Sequence, residues 1–177
     1  AKVTIDSASL INKGLESIEA KWLFDVNPDQ IEIVVHPQSI VHSLVEFADG
    51  SIKAQLGMPD MRLPIQYALT FPYRFDCPAP KFDFLNYPQL TFEQPNREVF
   101  RNLDIAFEAM RCGGNVACIM NGANEVAVAE FLKGNISFLA MSDLIENTIE
   151  KCTIISSPSF DDYFESDAEA RRIAYEI

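Results

Sequence analysis

The sequence is poor in residues that bind metals or form crosslinks, with two histidines and four cysteines in 177 residues and no CxxC pair. Cys77, Cys112, Cys118 and Cys152 are widely spaced, and only His36 and His42 are available to complete a zinc site. This argues against both structural zinc and a disulfide framework. The cysteines read as small apolar or lightly exposed side chains of a reducing compartment. Positive charge is scarce too: 14 Lys+Arg face 26 Asp+Glu, for a formal net charge of −12. The acidic excess runs through the whole chain, which disfavours non-specific binding to nucleic acid or to an anionic membrane. No apolar run approaches the roughly 20 residues of a bilayer span, and the first residues, AKVTIDSASL, lack the basic-then-apolar layout of a signal peptide. There is no GxGxxG after a strand and no GxxxxGK[ST], so no nucleotide-binding loop is evident. What remains is a soluble protein, or part of one, long enough for one domain or two small ones.

AKVTID reads as a strand-like hexamer with no cap, turn or initiator methionine before it, as if cut from a larger protein. From Ser9, the positions Leu10, Ile11, Leu15, Ile18, Trp22 and Leu23 recur at three- and four-residue steps, which predicts an amphipathic helix to about Phe24. Ser7 or Ser9 is placed to cap it. After Asn27-Pro28-Asp29, residues 31–37 (IEIVVHP) read as a buried strand ended by Pro37. Residues 43–49 and 51–57 alternate around Asp49-Gly50, the pattern of a hairpin. Prolines then interrupt every period between about 57 and 96, leaving a short helix near 64–70 in otherwise irregular chain. Residues 97–177 contain only Pro158 and show helical spacing, with helices expected at 97–111, 121–133, 142–152 and 167–176. The division expected is residues 1–70, a proline-rich connector 71–96, and a helical segment 97–177 resembling a four-helix bundle.

The densest polar cluster is SASLINKGLE, residues 7–16. Asn12 and Glu16 are four apart and Lys13 and Glu16 three apart, so all three share one helix face within about a turn. Ser7 and Ser9 lie at the helix entrance, where unpaired N–H groups and the positive end of the helix dipole favour an anion. A hydroxyl, an amide and an ammonium there suit a phosphate or phosphonate. Glu16 does not suit phosphate but can ligate a hard divalent cation. The same residues also describe an ordinary capped helix start with an i,i+3 ion pair. Gly14 costs about 1 kcal/mol against alanine inside a helix, so something approaches closely there. His42, near a strand end, is either a general acid/base or substrate ligand, or a structural histidine. Residues 57–65 (GMPDMRLPI), with Met61 and Arg62, form either a segment that closes over a ligand or a plain connector. In NGANEVAVAEFL (121–132) the small residues indicate close helix packing, with Asn121 as a cap and Glu125 solvated or bridging within the bundle.

DSASLINKGLE, HPQSIVHSLVEF, DGSIKAQLGMPDMRLPIQYAL and NGANEVAVAEFL, in this order and at these separations, closely resemble the 1-deoxy-D-xylulose 5-phosphate reductoisomerase family. The resemblance covers essentially the whole chain and departs from the family at Ser9, where threonine is usual. It implies an α+β fold: part of a catalytic domain, with a small, mostly antiparallel or mixed sheet and flanking helices, followed by a helical domain. The activity implied is rearrangement of 1-deoxy-D-xylulose 5-phosphate and reduction of the resulting aldehyde by NADPH. The product is 2-C-methyl-D-erythritol 4-phosphate, for isoprenoid synthesis. Magnesium or manganese, a homodimer, and a bacterial cytoplasm or plastid stroma are implied as well. By motif, Ser7 corresponds to a hydroxyl on the substrate phosphate, and Asn12 and Lys13 to contacts with phosphate and substrate oxygens. Glu16 corresponds to one of three acidic metal ligands, His42 to a supporting active-site histidine, and Met61 to the segment beside substrate and nicotinamide. The family's dinucleotide-binding domain and the other two acidic ligands are not among these residues. The chain alone is therefore expected to be inactive, and a phosphate-binding or dimerisation module without chemistry is the alternative.

Overall fold

Regular structure follows the distribution of proline. The computed structural model describes residues 1–177. Two helices, α1 (Lys2–Ala8) and α2 (Ile11–Phe24), and a 3-10 turn at Pro28–Gln30 precede the proline-rich region. Within it lie β1 (Val41–Glu46), β2 (Ile52–Leu56) and α3 (Arg62–Thr70), and beyond it α4 (Arg101–Cys112), α5 (Val116–Leu132), α6 (Ala140–Lys151) and α7 (Phe160–Glu176). This is an α+β chain with one two-stranded antiparallel sheet. It packs as two units, residues 1–33 with 96–177, and residues 34–95. The packing thus groups the chain differently from the three consecutive segments expected from composition, because the first two helices join the four that follow residue 96.

In the helical unit, α5 is apolar nearly all round and buries Val116, Ile119, Met120, Ala123, Val126, Ala127 and Val128, as a helix surrounded by others must. It packs against α4, α6, α7 and α1, while α2 lies on α4. Glycines mark close approaches between helices at two positions. A Cβ at Gly14 would overlap the Ala106 Cβ of α4, and one at Gly122 would meet Ala170 Cβ of α7 at 3.2 Å. The close neighbour anticipated at Gly14 is therefore another helix. Buried polar groups are paired across elements: Ser142 Oγ donates to Asn102 Oδ1 at 2.8 Å. Asn115 Nδ2 donates to Thr153 O and Ser166 Oγ, both at 2.9 Å. Lys21 Nζ donates to Met110 O at 3.1 Å, satisfying a carbonyl in the last turn of α4.

Several sequence expectations are corrected. Residues 2–8 are helical, not extended, despite the β-branched run Val3-Thr4-Ile5, because Asp6 is drawn onto α5 and Ile5 onto the core. Residues 31–37 form no strand: their β pairing is one isolated bridge, Val35 to Glu93, beside which His36 bonds Thr91 O and stacks on Phe92, and Val34 is exposed. Neither Ser7 nor Ser9 caps α2, whose N-cap is Leu10 in the left-handed region at φ 59°. Asn121 lies inside α5, and Asn115 stands at the N-cap. α7 starts at Phe160 because Ser159 and Asp162 form a reciprocal capping box. The hairpin, the short helix α3, and the stops of α4 at Gly113 and of α5 before Gly134 agree with expectation.

Substituting Gly14→Ala is expected to lower the unfolding free energy by about 1–3 kcal/mol through overpacking, although alanine is the better helix former. Adding Ala106→Gly should recover part of that loss. Urea unfolding of the single and double variants measures this, and a Gly14→Ala chain as stable as wild type contradicts the packing account.

Candidate functional site

Ile11, Gly14 and Ser17 form the buried face of α2, so the helical repeat turns positions 12, 13 and 16 away from α4. There Asn12 Nδ2 donates to Glu16 Oε1 at 2.7 Å, and Lys13 Nζ pairs with Glu16 Oε2. About 45% of the Lys13 and 46% of the Glu16 side chain stays exposed, so these groups remain open to a ligand. Ser7, at the end of α1, is exposed as well, whereas Ser9 is buried and donates to Asp6 O at 3.4 Å. Of the sequence-picked residues of the helical unit, Asn12, Lys13 and Glu16 are brought together, Ser7 lies across the α1–α2 corner, and Ser9 is structural.

His42 and Met61 belong to the other unit. The hairpin register runs Val41–Leu56, then Ser43–Gln55, so the irregularity falls at His42. A bulge of this kind re-aims a side chain. The His42 Nε2 donates to Gly57 O at 3.1 Å, since a carbonyl only accepts. His42 and Met61 line a cavity of about 940 Å³ together with Met58, Leu63, Tyr67, Phe71 and Arg74. Arg74 stacks over Tyr67 at 3.8 Å from the ring centroid and has no carboxylate partner. Apolar walls with a histidine and a free guanidinium suit a ligand that has a flat apolar part and an anionic group. Sequence reasoning missed Tyr67 and Arg74: they are seven residues apart, and no local motif announces the pair.

At the rim, Arg62 donates to Asp60 from Nε at 2.9 Å and from Nη2 at 2.5 Å, while its backbone N–H also donates to Asp60 Oδ1 at 2.9 Å. These hydrogen bonds pull the Asp60 carboxyl down to about 2. Arg62 is thereby committed to Asp60, unlike Arg74.

No cluster of three His, Cys, Asp or Glu side chains that could hold a metal exists in the chain. Both Glu16 oxygens are engaged by Asn12 and Lys13. The residues present therefore do not by themselves fit a divalent-cation site, and Glu16 offers a single carboxylate toward one.

The fold and this arrangement define an α+β chain that presents an amide, an ammonium and a carboxylate on one open helix face. The family model for the DXP reductoisomerase C-terminal domain matches residues 56–173, and that for the 1-deoxy-D-xylulose 5-phosphate reductoisomerase C-terminal domain matches residues 1–24. The 1-deoxy-D-xylulose 5-phosphate reductoisomerase of Bacteroides thetaiotaomicron is 61% identical over 177 residues, covering 100% of this chain and 45% of that protein. The protein of the same name from Pelotomaculum thermopropionicum is 51% identical, covering 100% and 46%. The Zymomonas mobilis enzyme, solved in complex with NADPH, superposes with a TM-score of 0.95 at 47% identity, over 99% of this chain and 47% of that one. A DOX-P reductoisomerase in complex with NADPH, fosmidomycin and magnesium gives 0.94 at 38% identity, over 99% and 45%. The chain belongs to the 1-deoxy-D-xylulose 5-phosphate reductoisomerase family. It spans about half the length of the relatives it matches.

The Asp60–Arg62 pair predicts a pH dependence. Because the folded carboxyl sits below the unfolded one, the contribution is fully present above the usual aspartate range near 3.8 and is lost as pH falls through about 2. Carboxyl NMR should show an Asp60 midpoint near 2 that returns toward 3.8 in Arg62→Ala. An ordinary midpoint in the wild-type chain contradicts the pairing.

Proposed function

We propose that this chain is part of an NADPH- and divalent-metal-dependent reductoisomerase that converts 1-deoxy-D-xylulose 5-phosphate to 2-C-methyl-D-erythritol 4-phosphate. The observation that carries this reading is the open face on which Asn12, Lys13 and Glu16 meet, beside the exposed Ser7 hydroxyl. The names of the relatives support it. In this reading Ser7, Asn12 and Lys13 bind the phosphate, and that remote anchor holds the reacting carbons in register. Lys13 also contacts substrate oxygens. Glu16 is one of three acidic ligands to magnesium or manganese, the other two lying outside these residues. A cation held there would supply Lewis-acid polarisation of the substrate carbonyl. The family resemblance gives His42 a supporting role and puts Met61 in the segment beside substrate and nicotinamide. NADPH, which supplies the hydride, is held elsewhere, since no phosphate-cradling glycine loop occurs in the chain. A homodimer in a bacterial cytoplasm belongs to the same reading. The relatives named are bacterial proteins, and no helix of the chain is long and apolar enough to cross a membrane.

A second reading, a phosphate-binding or dimerisation module without catalysis, is favoured by one observation: Leu44 and Ile52, which the register puts on one face of the hairpin together with Ala54, are exposed, apolar surface suited to a second copy or another segment.

The 177-residue chain alone, supplied with NADPH, magnesium and substrate, is expected to show no turnover. Measurable turnover contradicts the assignment of cofactor and metal ligands to residues outside it. Calorimetric titration with fosmidomycin or inorganic phosphate should show binding that weakens by about tenfold or more in Lys13→Ala, the loss of one charge-assisted contact. Equal binding by both chains eliminates the anion site.

A further inference from the structure

The corner between α1 and α2 carries two costs. Leu10 holds φ 59°, a left-handed conformation that a branched residue adopts only when its surroundings impose it. Asp6, one residue before Ser7, is a carboxylate only 4% exposed, and an uncompensated negative charge there would repel an anion at Ser7. The structure compensates both from a distance. Leu10 packs against the Leu103, Phe107 and Met110 cluster of α4. Lys2 Nζ reaches Asp6 at 2.9 Å and Glu125 at 2.7 Å. Asn124 of α5, fully buried, donates from Nδ2 to Asp6 Oδ1 at 3.1 Å.

The Asn124 contact is kept at the expense of the other half of that amide, since Asn124 Oδ1 is buried with no partner. Turning the amide over would set its oxygen against the Asp6 carboxylate, so Nδ2 toward Asp6 is the orientation that chemistry allows. A buried polar atom left unpaired in this way points to a contact that matters.

We infer that Asn124 is a positioning residue for the phosphate-binding corner: by bonding Asp6 it fixes the end of α1 and screens the carboxylate beside Ser7. This rests on the reading of Ser7, Asn12 and Lys13 as phosphate ligands. Glu125 contributes through Lys2, so the NGANE stretch (121–125) of the helical segment acts on the anion site through α1 and touches no ligand itself.

The test uses the 177-residue chain in four forms: wild type, Asn124→Ala, Asn124→Asp, and the exchange Asp6→Asn with Asn124→Asp. Two quantities are measured by NMR: amide hydrogen exchange at Ser9 and Leu10, and the dissociation constant for inorganic phosphate. Amides of α6 serve as the control for global unfolding. Asn124→Ala is expected to speed corner exchange and weaken phosphate binding by about tenfold each, with α6 unchanged. Asn124→Asp, which sets two carboxylates together, should do more, and the exchanged pair should restore corner protection. A merely structural role would move α6 as much as the corner and would leave phosphate affinity alone. Unchanged corner exchange in Asn124→Ala, unchanged phosphate affinity despite faster exchange, or no restoration in the exchanged pair each overturn the inference. If wild type and Lys13→Ala take up phosphate equally poorly, the anion site itself is what fails, and the exchange data still decide whether Asn124 holds the corner.

Discussion

No side chain separates α2 from α4 at Gly14, and the orientation of the polar residues of α2 depends on that contact. With Gly14 against Ala106, Ile11 and Ser17 one turn to either side must face inward too. The 3.6-residue repeat then leaves positions 12, 13 and 16 no direction but outward. A larger residue at 14 would lift α2 away from α4, or rotate it and carry Asn12, Lys13 and Glu16 with it. The glycine makes room for a helix, and it bears on the polar residues of α2 by aiming the opposite face.

What could be read from the chain was local. The i, i+3 and i, i+4 spacings of Asn12, Lys13 and Glu16 specify their meeting once α2 is a helix, and the apolar repeat from Leu10 to Leu23 announces that helix. Likewise Asp49-Gly50 between two alternating runs announces the hairpin, where Asp49 accepts from Ser51 N and Oγ and Gly50 takes φ 80°. What could not be read was set by partners far along the chain. Val3-Thr4-Ile5 favours a strand by itself. It becomes a helix because Asp6 meets Asn124, 118 residues away, and Ile5 meets the core. Residues 31–37 show the converse, an apolar run with strand composition whose only bridge is to Glu93. Its Ile31 and Ile33 are instead spent on the Leu103, Phe107 and Met110 cluster. The early start of α7 was legible in principle, since Ser159 and Asp162 stand at capping-box spacing directly after Pro158.

The hairpin shows how an irregularity serves a side chain. Were β1 and β2 in unbroken register, His42 would stand in strict alternation with Val41 and Ser43. The break at that position frees it to bond Gly57 O, the carbonyl just past the end of β2. A carbonyl only accepts, so that bond requires the proton on Nε2. In the same unit Arg74 is held by a ring face and Arg62 by a carboxylate. Of the two cations in reach of this cavity, only Arg74 can meet an anion without giving up an ion pair.

Net charge is a poor guide to the proposed ligand because binding is decided within a few ångströms. At physiological ionic strength, charges farther away than roughly 8 Å are largely screened where they are exposed, so most of the acidic excess is invisible at the start of α2. What an anion meets there is Lys13, and Lys13 is already partnered by Glu16, whose other oxygen accepts from Asn12. In the free chain the proposed ligands of phosphate thus satisfy one another through a single carboxylate. An arriving phosphate must compete with Glu16 for the ammonium and the amide, and the exposed pair yields cheaply because surface ion pairs of this kind contribute little. In the proposed reading a cation on Glu16 would withdraw the competitor, and cation and anion would then favour each other's binding by the same factor. That coupling would follow from three side chains within about a turn of helix.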